Sequence, residues 1–74
     1  MTSKIDVIVS SDLDYENLIA EVAIDDIFVG LVTNEPSKGV CFEAPAGQVL
    51  GEPIAFDIYI KALIKAKNEL LQLK

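Results

Sequence analysis

Asp12, Asp14 and Glu16 alternate through residues 10–17 (SSDLDYEN), a spacing that offers three carboxylates to a hard cation. A calcium loop of the EF-hand kind also needs further oxygen ligands, a central glycine and a terminal bidentate glutamate, and these are missing here. A solvated turn is the plainer expectation for a stretch so rich in turn formers. Cys41 is the one thiol, and a nucleophilic cysteine needs a base or a cation beside it. The chain has no histidine to act as that base, and no arginine or tryptophan either. An inert cysteine packed against the sheet is expected instead. Gly47 and Gly51 bracket Gln48, Val49 and Leu50, but no Gly-Lys-Ser/Thr follows, so a phosphate cradle has no parts. Twelve carboxylates could in principle furnish an acid–base pair of the glycosidase kind, yet no spacing selects two of them. The expectation is therefore no catalytic residues, no metal ligands and no cofactor, with an enzyme or metal protein as the reading that has the fewest parts.

Charge narrows the partners. The net charge of −6 is uneven, because eleven of the twelve acids lie in residues 1–57 against Lys4 and Lys38. Residues 58–74 reverse the balance, with Lys61, Lys65, Lys67 and Lys74 against Glu69. An acidic body repels polyphosphate and anionic lipid, so neither nucleic acid nor a membrane is expected as a partner. The apolar runs fall far short of the ~20 residues that span a bilayer. The N-terminus does not read as a secretory signal, and one cysteine cannot form an internal disulfide, which together favour a cytoplasmic location.

These residues must be held by a small α+β fold, read as one domain over residues 1–74. Period-two alternation predicts strands at about 4–10, 18–25, 26–34 and 40–44, forming an antiparallel sheet of three to four strands. Asp25-Asp26 is placed to make a two-residue hairpin turn. An unbroken register from that turn pairs Ile24 with Ile27, Val22 with Val29 and Ala20 with Leu31 on one face. Ala23 with Phe28, Glu21 with Gly30, and Ile19 with Val32 then fall on the other. Pro45 ends the fourth strand, and Gln48 to Leu50 could add a short one. Beyond Pro53 the period changes. Asp57 reads as an N-cap and residues 58–73 as a C-terminal helix (about 57–73 with its cap), with lysines late enough to suit its dipole.

On that helix Tyr59, Ala62, Leu63, Ala66, Leu70 and Leu73 form one apolar stripe. Ile60, Ile64 and Leu71 form a second beside it, with Lys67 near the seam. Together the two stripes span roughly 200° of arc, wider than the ~100° that one docking surface requires. The 51% hydrophobic content is also high for a chain of 74 residues, which cannot hide it all. A non-enzymatic protein that associates with itself as a homodimer, or with another protein, follows as the leading expectation. Its contact residues would be Ile60, Ile64 and Leu71 on the helix and Phe28, Ile19 and Val32 on the sheet. The alternative is an acidic inhibitor or immunity-type protein, whose Asp12, Asp14, Glu16, Glu21, Asp25, Asp26, Glu35 and Glu43 steer it onto a basic partner.

Overall fold

Branched side chains dominate the first three predicted strands, where their restricted χ1 suits a pleated backbone. The structure, a computed structural model, describes residues 3–47, 51 and 53–72. Four strands, β1 (Ile5–Ser10), β2 (Ile19–Ile24), β3 (Ile27–Glu35) and β4 (Gly39–Glu43), precede one helix, α1 (Phe56–Gln72). The sheet is an antiparallel meander in the order β1-β2-β3-β4. This is the α+β arrangement that the alternation and the change of period predicted. The Gln48 to Leu50 strand and the last residues of the helix stripe, Leu73 and beyond, lie outside the described residues.

Asp25 and Asp26 make the β2–β3 turn, both in the left-handed region at φ 52° and 67°, as a type I′ hairpin requires. Asp25 also accepts the Lys4 backbone N–H on Oδ1 at 2.8 Å, which ties the start of β1 to the turn. Ile24 pairs with Ile27 and Ala23 with Phe28, as an unbroken hairpin predicts. Beyond that point the register differs from expectation. A β-bulge leaves Val29 as the extra residue, so Val22 pairs with Gly30, Glu21 with Leu31 and Ala20 with Val32. Two residues then oppose one, which moves every later side chain of β3 to the other face. Val32 thereby joins the core instead of standing across from Ile19.

Gly30 shows why the bulge is tolerated there. Its φ is 151°, and a Cβ on it would lie 2.5 Å from Cζ of Phe42. The absence of a side chain lets the Phe42 ring cross β3 from the neighbouring strand.

The helix packs on β2 and β1, and more lightly on β3. Ala62, Ala66 and Leu70, at i, i+4 and i+8, are buried against Ala20, Val22, Ile24, Val29 and Val32. The two alanines let the helix approach the sheet closely. Tyr59 packs against this core, and its ring meets Phe42 edge to face at a centroid distance of 6.0 Å. The helix begins one residue before the predicted cap: the Tyr59 N–H donates to the Ala55 carbonyl at 3.0 Å. Asp57 therefore sits inside the first turn, where its carboxylate still favours the helix N-terminus. Among the described residues the last turn carries no base, and Lys74 lies outside them.

Candidate association surface

The width of the sheet decides what one helix can cover. Neighbouring strands lie ~4.8 Å apart and a helix with its side chains is ~10 Å across, so α1 shelters about two of the four strands. The inner face of β4 is the part left over. Val40 is 44% exposed and Phe42 39%, although both are on the helix side of the sheet. They face Leu63, Ile64 and Lys67 of the helix across a shallow groove that also reaches Val32 and Cys41.

The second helix stripe continues from this groove. Ile60 is 38% exposed, Ile64 54% and Leu71 39%, while Phe56, one turn before Ile60, is 74% exposed. Phe56, Ile60 and Ile64 line a second hollow with Asp57 and Lys61. The sequence reading named Ile60, Ile64 and Leu71 but missed Phe56, Val40 and Phe42. Phe56 was legible as the i−4 neighbour of Ile60 once the helix is allowed to start before Asp57. Val40 and Phe42 stay exposed because of where β4 sits, which strand periodicity alone does not give.

The sheet residues proposed as contacts are placed otherwise. Val32 is 4% exposed and belongs to the core, for the register reason above. Ile19 is 2% exposed, outside the cluster that packs on the helix. Ile19 stands on the outer face of the sheet, where the β1–β2 loop is tied down. The Tyr15 hydroxyl donates to the Glu43 carboxylate, so this loop crosses the outer face of the sheet as far as β4. The Glu35 carboxylate fixes the same loop by accepting the Glu16 N–H at 2.8 Å and the Asn17 N–H at 2.9 Å. The Asn17 amide donates to the Asn34 carbonyl at 2.5 Å. Thr33, opposite Cys41 on the same face, is buried as well. Phe28 is half-buried. Of the six residues, only the three on the helix lie on an open apolar ridge.

The loop's carboxylates hold backbone rather than converge. Asp12 accepts the Asp14 N–H at 2.9 Å on Oδ1, an Asx turn. Among the described residues no group of three or more carboxylates or thiols stands together as metal ligands. Asp14, Glu16, Glu35 and Glu43 do share an acidic cleft with Tyr15 and Lys38. The hydrogen bond to Glu43, and then desolvation, push the Tyr15 phenol up to about 12. At the far end of the sheet, the hydrogen bond to Asp26 and the charges of Asp26 and Asp6 raise the Lys4 pKa. Cys41 is exposed, with only its Sγ–H directed to the Lys38 carbonyl at 3.8 Å. The packed cysteine expected from sequence is thus corrected: its strand is a sheet edge with every residue exposed.

Compared with protein-family models, curated proteins and solved structures, the chain matches none of them. No described helix is long and apolar enough to cross a membrane.

Proposed function

We propose that this is a non-enzymatic protein that acts by associating with protein, as a homodimer in the first instance and otherwise as a module for a separate partner. The observation that carries this reading is the continuity of exposed apolar surface. Phe56, Ile60, Ile64 and Leu71 run along α1, and Val40 and Phe42 lie beside them on β4. Scattered apolar residues on a surface need no explanation, but a ridge joined to a groove marks a site of interaction. Covering the exposed half of one isoleucine is worth about 1 kcal/mol, so several such residues on each side approach what a stable contact needs. No catalytic group, metal or cofactor enters the reading, and a cytoplasmic setting belongs to the same proposal because the exposed Cys41 thiol suits a reducing compartment. Light scattering behind size exclusion at low micromolar concentration tests it. A particle of twice the 8.0 kDa chain mass supports the homodimer. A monomer that binds no exposed-surface dye overturns the reading.

The acidic cleft favours a second reading, a protein that blocks a basic partner. Asp14, Glu16, Glu35 and Glu43 concentrate negative charge at one end of the sheet, which would steer a cationic protein toward it. That reading predicts an association rate that falls steeply with salt, and an association insensitive to salt would set it aside.

A further inference from the structure

The open ridge of α1 has a heptad-like spacing. Asp57, Ile60, Ile64, Lys67 and Leu71 follow at intervals of three, four, three and four residues, the a/d pattern of a helix–helix seam. All five are exposed, on a flank of the helix beside the buried stripe of Ala62, Ala66 and Leu70. Two of the five positions are charged, with opposite signs. Neither Asp57 nor Lys67 has an ion-pair partner among the described residues. The other helix pair, Lys65 with Glu69, satisfies itself at 2.5 Å within the chain.

We propose that the occupant of this ridge is α1 of a second copy of the chain, laid antiparallel about a two-fold axis between Ile60 and Ile64. The proposal rests on the association reading above and adds the partner, the orientation and the register. In this register Ile60 of each copy meets Ile64 of the other, and Asp57 of each meets Lys67 of the other. A parallel pairing in register sets Asp57 against Asp57 and Lys67 against Lys67, two like-charge contacts that disfavour it. Charge complementarity thus selects one orientation and one alignment, the role that a polar residue takes at a seam position in coiled coils. Ile64 and Lys67 also border the groove of Val40 and Phe42, so the second helix lies along the half of the sheet that α1 leaves open.

The test exchanges the charges in the full-length chain and reads assembly by native mass spectrometry. Asp57→Lys alone, or Lys67→Glu alone, gives a homodimer with two like-charge contacts, and each should weaken self-association by roughly tenfold or more. Mixed together, the two variants form a heterodimer in which both contacts are again of opposite charge. The expected result is a heterodimer in large excess over either homodimer. The double variant Asp57→Lys with Lys67→Glu should dimerise about as the parent does. Both positions are exposed, and circular dichroism checks that each variant folds. A dimeric parent whose variants mix statistically overturns the register and leaves the association reading standing, as a dimer joined by β4 edges would. A monomeric parent overturns the register and the homodimer, and one that also binds no exposed-surface dye overturns the association reading.

Discussion

Replacing Gly30 by alanine places a methyl group against the Phe42 ring and the backbone of β4. Its Cβ would lie 2.5 Å from Cζ and 2.8 Å from Cε1 of Phe42, and 2.8 Å from the Glu43 carbonyl oxygen. The ring can turn away, but the carbonyl belongs to the paired backbone of β4 and cannot move alone. Overpacking of this kind costs about 1–3 kcal/mol. A φ of 151° is rare for an L side chain and adds about 1–3 kcal/mol more. The sum, roughly 2–6 kcal/mol, is a large share of the ~4–11 kcal/mol that 74 residues ordinarily muster. Urea denaturation followed by circular dichroism reads it directly. With a slope near 1–2 kcal/mol per molar, the midpoint should fall by ~1–6 M. Phe42→Ala supplies the second arm, since without the ring the same Gly30→Ala change should cost about 1 kcal/mol less. A midpoint equal to that of the parent, or an identical cost in both backgrounds, would refute the ring-over-glycine contact and the β4 position built on it.

Asp25→Ala should destabilise by about 1–2 kcal/mol, because it removes the acceptor for the Lys4 N–H and puts alanine in the left-handed region. Asp25→Asn should stay close to the parent, and equal melting of all three proteins would contradict the type I′ turn. Tyr15 gives the alkaline prediction. Its folded pKa stands above the unfolded value of 10, so the folded state holds the proton more tightly. Its contribution is complete below pH 10 and declines as the pH rises toward about 12. Parent stability should therefore drop more steeply than that of Tyr15→Phe between those limits, as followed by urea midpoints. Superimposable pH profiles would show that the Tyr15–Glu43 bond does not form in solution.

Much of the architecture was readable from residue pattern. Alternation located the strands to within a residue or so, Asp25-Asp26 marked the hairpin, and the period change beyond Pro53 located the helix. The bulge was not legible, because nothing in Phe28-Val29-Gly30 states that two residues will share one partner. That depends on Phe42, which arrives from twelve residues beyond Gly30. The missed bulge moved Val32 from the outer face to the core. Ile19 was misjudged for another tertiary reason: Glu35 and Glu43 capture the 11–18 loop and fold it over that end of the sheet. The helix ridge was legible because helical geometry is local, and Ile60, Ile64 and Leu71 follow from spacing alone. The groove beside it depends on strand order and on the narrowness of one helix over four strands, which appear only once the chain is folded.

Solvent access to the Ile60 and Ile64 methyl groups tests the central claim most directly. Methyl relaxation by a soluble paramagnetic probe can be followed in the full-length chain across a dilution series. Strong probe broadening at high dilution should fade at both residues as concentration rises, while the already buried methyls of Val22 stay unaffected throughout. Broadening of Ile60 and Ile64 that is equally strong at every concentration would contradict a self-association surface on this ridge.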